Sequence, residues 1–205
     1  MKILVKNIHS LGDASLLLTG KPKYVDEKRW KKMQSMKSDE DKLRSVASGY
    51  LLHEMCKELD ITELRYGYQD KGKPYMEDHE NVAFNLSHSG EYAVLAYHEK
   101  ASSIGIDIQK IRVLREGMKK RILHEKEEIP RGISKEEEVR YLNRIWAIKE
   151  SYVKMTGDGL SLDFRKIYID FEKNTVKAEG CENAHFTEYD DLEDYVMAVC
   201  TAESE

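Results

Sequence analysis

Cysteine, proline and long apolar runs are scarce in this chain, and each scarcity argues against a class of protein. The three cysteines, Cys56, Cys181 and Cys200, are odd in number, widely spaced and free of any C-x-x-C. That disfavours both a disulfide framework and a zinc site, and it suits a reducing cytoplasm. Three prolines in 205 residues argue against long linkers. No apolar run approaches the ~18 residues a membrane span needs. The opening Met1-Lys2-Ile3-Leu4-Val5-Lys6-Asn7 turns polar too soon for a signal peptide and reads as a first strand. Positive charge is also short, with 33 Lys+Arg against 38 Asp+Glu for a net −5, and no basic stripe is interleaved with aromatics. A cytoplasmic protein with neither a membrane nor a nucleic acid as partner is expected.

What is present is a globular composition, 40% hydrophobic and 35% charged, long enough for one large domain or two small halves. The charge is uneven. Residues 1–101 carry 16 basic against 16 acidic side chains, and residues 102–205 carry 17 against 22. Within the first half, residues 21–44 hold nine basic side chains against five acidic ones. Such a segment is either an ordinary basic surface helix or a holder of phosphate.

Periodicity divides the chain in two. Ser38 with Asp41 resembles a capping box, followed by Leu43, Val46, Ala47, Tyr50 and Leu51 at helical spacing. Ser134 with Glu137 opens a second long helix that runs to about Thr156, where Gly157-Asp158-Gly159 stops it. Each helix is followed by an alternating strand, Tyr92 to Tyr97 and then Tyr195 to Cys200, at an offset of 195 − 92 = 103 residues. Further strands are expected at Leu64 to Tyr68 and Ser103 to Ile108, with a hairpin from Arg165–Phe171 into Val176–Glu179. The predicted fold class is α+β, with two pseudo-symmetric lobes at 1–101 and 102–205. Each lobe packs a long helix on a mainly antiparallel sheet, and the site lies in the cleft between them. A monomer suffices, because the cleft needs no second subunit.

One nonapeptide, Trp146-Ala147-Ile148-Lys149-Glu150-Ser151-Tyr152-Val153-Lys154, carries more charge than its helix needs. Tyr141, Ile145, Ile148, Tyr152 and Met155 form a buried stripe, while Trp146, Lys149, Glu150 and Lys154 collect on the other side. That other side is either an exposed Glu-to-Lys pair at i, i+4 or one wall of a site. Three more segments bear on the choice: Gly72-Lys73-Pro74, a cationic turn; Phe84-Asn85-Leu86-Ser87-His88-Ser89-Gly90; and Gly105-Ile106-Asp107-Ile108-Gln109, ending a strand at the lobe boundary. Singly, Asp107 reads as a strand-end cap and His88 as a turn histidine. In order and spacing, the four segments resemble the 4′-phosphopantetheinyl transferase superfamily, in particular its large two-lobe type that activates nonribosomal peptide synthetases such as surfactin synthetase.

The resemblance implies an enzyme that moves the 4′-phosphopantetheine arm of coenzyme A onto a serine of an acyl or peptidyl carrier protein of fatty acid, polyketide or peptide synthesis. Adenosine 3′,5′-bisphosphate would leave. It further implies Asp107 and Glu150 as carboxylate ligands of Mg²⁺, or Mn²⁺, with Gln109 a weaker ligand where many members have a second acid. Lys73, Ser87, His88 and Lys154 would hold the pyrophosphate, Pro74 would wall the adenine, and Arg44 with Arg29 and Lys32 would hold the 3′-phosphate. Glu127 or Lys149 would be the general base, and residues between Arg112 and Ile133 would meet the carrier. Two other readings share these anchors: a coenzyme A dependent acyltransferase, and a catalytically weak carrier-binding paralogue.

Overall fold

A computed structural model describes residues 1–63, 65–69, 73–100, 103–159, 162–180 and 183–202. Leu64 of the expected strand, Gly72 of the cationic turn and Cys181 lie outside the described residues.

The first half builds a three-stranded antiparallel sheet from β1 (Lys2–Asn7), β4 (Ala83–Ser89) and β5 (Tyr92–His98) in the order β1-β5-β4. The helix α3 (Asp39–Glu58) packs on it, its start fixed by Ser38, whose side chain accepts from the Asp41 amide. Leu43, Ala47, Leu51, Leu52 and Met55 of α3 close over Phe84, Ala93 and Leu95 of the sheet. Two short helices, α1 (Ala14–Thr19) and α2 (Glu27–Gln34), flank α3, and a small hairpin of β2 (Tyr66–Tyr68) and β3 (Pro74–Met76) completes this half.

The second half builds a five-stranded sheet in the order β6-β10-β9-β8-β7. The strands are β6 (Ile104–Lys110), β7 (Ile167–Asp170), β8 (Thr175–Ala178), β9 (Ala184–Tyr189) and β10 (Tyr195–Ala202), and every pairing is antiparallel. After the short α4 (Glu116–Ile122), the helix α5 (Lys135–Thr156) opens with a full capping box between Ser134 and Glu137 and ends on Gly157 at φ 77°. The hairpin starts two residues later than expected, because Arg165 belongs to a 3-10 turn at Phe164–Lys166.

α5 departs from the one-stripe expectation. Ile145, Ile148 and Tyr152 are sealed as predicted, but Leu142, Ala147, Lys149, Ser151 and Val153 are buried too. The sheet covers one side and the α4-to-β7 segment covers another. Each large apolar side chain so buried contributes ~1.5–3 kcal/mol.

Two features lock α5 and the two sheets together. At Gly105 on β6, an added Cβ would lie 2.0 Å from the Ser151 carbonyl oxygen and 2.4 Å from the Met155 nitrogen. Only glycine lets the helix backbone come this close, and that approach sets the height of α5 over Asp107. The outer edge of β6, left unpaired by β10, is met by side chains of β4: the amides of Ile106, Ile108 and Lys110 donate to Asn85 Oδ1, Ser87 Oγ and Ser89 Oγ at 3.1, 3.4 and 2.9 Å. The period-two spacing of both strands makes this ladder possible. Val94 and Ala96 pack with Ile104, Ile106, Ile108, Met197 and Val199 behind it. The halves therefore share a core, and Asp107 faces residues of the first half across it.

Candidate active site

Asp107 lies in the middle of β6, not at a strand end, and is 2% exposed. Its carboxylate is filled by three donors: Oδ1 accepts from Ser87 Oγ at 2.8 Å and from Lys154 Nζ at 2.6 Å, and Oδ2 accepts from Gln109 Nε2 at 2.6 Å. Lys154 reaches it from α5 and also donates to Ser87 Oγ at 2.8 Å and to the Ile106 carbonyl at 3.1 Å. Three strands of argument from the sequence, Ser87 on β4, Asp107 on β6 and Lys154 on α5, thus meet at one point.

Glu150 stands one helical turn before Lys154, yet the i, i+4 pair does not form. Lys154 turns to Asp107 instead, and no described residue forms a hydrogen bond or ion pair with Glu150. Burial, and then the charge of Asp107, push the Glu150 carboxyl above its ordinary value, while Lys154 draws it part of the way back. A half-buried carboxylate without a donor, beside a second carboxylate, is costly by itself and fits a hard divalent cation that takes oxygen ligands. Among the described residues no group of three His, Cys, Asp or Glu gathers. The protein's own charge toward such an ion is two carboxylates, Asp107 and Glu150. Gln109 adds only its amide oxygen, its nitrogen being committed to Asp107.

Glu150 lines one cavity, and His88, next to Ser87 on β4, lines another. The latter, of about 850 Å³, is lined by Lys28, Arg29, Lys32, Tyr66, Pro74 and His88 among others. His88 reaches solvent at its edge; the surrounding protein, and then Lys154 and Arg44, push its imidazole below the ordinary histidine value. Asp26 caps α2 by accepting from the Arg29 amide at 2.8 Å and takes a further bond from Tyr66 Oη at 2.7 Å. Arg29 Nε is buried without a hydrogen-bond partner. The other cavity, about 580 Å³, is lined by Met118, Arg121, Trp146, Glu150, Leu162 and Phe164. Trp146 packs on Phe164, ring centres 5.3 Å apart, and both line this cavity. Asn85, Ser89 and Phe164 were not singled out by sequence; alternation along β4 held the signal for the first two.

Other predicted residues sit elsewhere. Lys73 donates to Ser103 Oγ and to the Met155 carbonyl at the end of α5, and it lines a separate cavity of about 290 Å³ that shares Pro74 with the large one. Arg44 is held by the Gly90 carbonyl at 2.8 Å and Asp41 at 2.6 Å, on the α3 side of the β4-to-β5 turn. Lys149 is corrected most. It is 0% exposed and turned inward, its ammonium held by Glu127 Oε2 at 2.6 Å, the Ile122 carbonyl at 2.6 Å and the Phe164 carbonyl at 3.1 Å. Glu127 in turn accepts the amides of His124 at 2.8 Å and Ile169 at 3.0 Å. The two candidate bases are each other's partner, and neither presents a free lone pair to a cavity. Burial pushes the Lys149 amine down, against the pull of Glu127.

Comparison with known proteins agrees with this geometry. Residues 103–200 match a family model described as the 4′-phosphopantetheinyl transferase superfamily, and residues 18–100 match one described as 4′-phosphopantetheinyl transferase, N-terminal. The 4′-phosphopantetheinyl transferase ffp of Bacillus subtilis is 30% identical over 188 residues, which cover 87% of this chain and 83% of that protein. The 4′-phosphopantetheinyl transferase Sfp of Bacillus subtilis strain 168 is 27% identical over 187 residues, covering 87% and 83%. The 4′-phosphopantetheinyl transferase HetI of Nostoc is 33% identical over 125 residues, covering 58% of this chain and 50% of that protein. With a relative this similar aligned over most of both chains, the protein belongs to the 4′-phosphopantetheinyl transferase superfamily.

Proposed function

We propose that this protein transfers the 4′-phosphopantetheine arm of coenzyme A to a serine hydroxyl of an acyl or peptidyl carrier protein, in a reaction supported by Mg²⁺ or Mn²⁺. The serine oxygen forms a bond to the phosphorus next to the pantetheine as its proton passes to water, the bond from that phosphorus to the bridging oxygen breaks, and adenosine 3′,5′-bisphosphate leaves with that oxygen. The observation that carries the reading is the meeting of Asp107, Ser87 and Lys154 beside Glu150, which has no hydrogen-bond or ion-pair partner among the described residues and lines one cavity, while His88, next to Ser87 on β4, lines a second that is rich in cations.

Such a reaction needs charge neutralisation and in-line placement more than covalent help. Asp107 and Glu150, with the amide oxygen of Gln109, hold the metal ion, which when bound neutralises charge on the pyrophosphate. Lys154, Ser87 and His88 bind the pyrophosphate, and Lys73 would reach it only from the neighbouring cavity that shares Pro74. Arg29, Lys32 and Arg44 bind the 3′-phosphate, for which a guanidinium fork is suited. Pro74 walls the adenine. The apolar cavity of Trp146, Leu162 and Phe164 then lies on the other side of Glu150, where the attacking serine and the pantetheine arm have room. Lys149 and Glu127 act through position, bracing the Ile122 and Phe164 backbone that forms the rim of that cavity. The cleft lies between two lobes, 1–101 and 102–205, and a single chain supplies all of it.

The test is one mass measurement on an apo carrier protein incubated with acetyl-coenzyme A and Mg²⁺. Gain of the whole acetyl-phosphopantetheine arm is expected. Gain of acetyl alone would make the protein an acyltransferase, and no gain at any metal concentration would make it a carrier-binding paralogue.

A further inference from the structure

Resting on the metal site proposed above, we infer that the Lys154 ammonium is a built-in place-holder for the divalent cation, occupying Asp107 while the cation is absent and yielding it when the cation arrives.

An ammonium has three donors, and here all three are used, by Asp107 Oδ1 at 2.6 Å, Ser87 Oγ at 2.8 Å and the Ile106 carbonyl at 3.1 Å. The parked position is complete without any substrate. It also occupies Asp107 Oδ1, which takes both Lys154 and Ser87, while Gln109 holds one side of Oδ2. A divalent ion that takes Oδ1 competes with an ammonium at hydrogen-bond distance, because two cations on one oxygen repel strongly at short range. For such an ion to bind, one of the two groups has to move. Asp107 is 3% exposed in the side chain and sits on a strand paired with β10, so it stays; Lys154 is 27% exposed on a flexible four-carbon stem, so it leaves.

Where it goes follows from what surrounds it. Ser87 and His88 are neighbours on β4, and His88 lines the large cavity. Asp41, the carboxylate that lines that cavity, is already held by Arg44 at 2.6 Å, whereas phosphate oxygens would meet the released ammonium once coenzyme A is bound. Metal and pyrophosphate therefore favour each other: the first frees Lys154 and the second receives it. This is a coupling between two ligands through one side chain, and it is reciprocal. It also accounts for the position of Glu150, which the resting ammonium does not touch.

The test is Mn²⁺ binding to the enzyme without coenzyme A, followed by electron paramagnetic resonance of the free ion. Lys154→Met, which keeps the stem and removes the charge, should bind Mn²⁺ about tenfold more tightly than wild type, and Lys154→Arg should not. Equal or weaker binding by Lys154→Met would overturn the inference. Glu150→Gln separates the two levels: if it binds Mn²⁺ as wild type does, the metal site itself is misplaced and the inference falls with it. If it loses Mn²⁺ while Lys154→Met is unchanged, only the place-holder falls. A measurement on the unaltered protein guards against a poorly folded variant. Acylation of Lys154 by an N-hydroxysuccinimide ester, followed by peptide mass mapping, should rise severalfold when Mn²⁺ is added, and no change would again overturn the inference.

Discussion

Two lysine–carboxylate pairs stand five residues apart on α5 and share the same contact distance of 2.6 Å, yet they are built for different ends. Lys149 and Glu127 are 0% and 3% exposed, and every polar atom between them is committed to backbone of α4, the Phe164 turn or β7. Lys154 and Asp107 are 27% and 3% exposed, with a second, unpaired carboxylate beside them. A sealed and saturated pair cannot exchange partners without leaving a charge buried. An open pair next to an unsatisfied group can. The difference separates a brace from a site more reliably than residue type does, since both pairs are a lysine and an acid.

The contrast can be broken in several ways, the largest first. Glu150→Gln should lower kcat/KM by about a thousandfold, roughly 4 kcal/mol of lost transition-state stabilisation. The same change should leave the fold at least as stable, because it removes an unpaired, half-buried charge; thermal unfolding and a carrier-loading assay together check both halves. An unchanged turnover would remove Glu150 from the chemistry.

Lys149→Met should cost ~3 kcal/mol by stranding Glu127, which for a chain of this size is a fall in Tm of about 6–12 °C. The double change Lys149→Met with Glu127→Gln should recover most of that loss. Lys154→Met should cost less, about 1–2 kcal/mol, because the buried Asp107 it strands keeps its Ser87 and Gln109 donors. Equal losses at Lys149 and Lys154, read from chemical denaturation, would erase the distinction between brace and site.

The pH dependence should also divide along this line. Glu150 has a folded pKa raised above its ordinary 4.5, so its contribution to stability is intact below that value and lost as pH rises through the raised one. The Tm of Glu150→Gln relative to wild type, measured without metal, should therefore climb as pH is taken from 4.5 toward neutrality and level off above it. A difference that is flat with pH would mean that neither burial nor Asp107 holds the Glu150 carboxyl up.

The smallest effect is expected at Arg44. Arg44→Ala should raise the KM for coenzyme A more than that for its 3′-dephospho form, because the 3′-phosphate is the group a guanidinium would recognise. Steady-state kinetics with both substrates decide it. Equal effects would leave Arg44 as a tie between α3 and the Gly90 turn.

Much of the frame was legible from local pattern. The Ser134–Glu137 capping box, the Gly157 stop and the alternation of Tyr92 to Tyr97 and Tyr195 to Cys200 are written in neighbouring residues, and the structure follows them within a residue or two. The orientation of Lys149 was not legible. A helical wheel gives an angle and says nothing of what comes to cover it, and the cover here is Glu127 and the Phe164 turn, over twenty residues before it and fifteen after.

Sequence by itself determined that this is a mixed α and β chain, and it determined the acids, the lysines and their spacing along strand and helix, because those follow from local periodicity and capping. Only the tertiary structure decided which lysine serves which acid. Gly105 admits the α5 backbone against β6, the β4 side chains close the edge of that strand, and the height and angle so imposed bring Lys154 to Asp107 while turning Lys149 away into the core. Those contacts span up to some 67 residues of chain, as between Ser87 and Lys154, and a distance of that kind is fixed by packing, not by the neighbours of either residue.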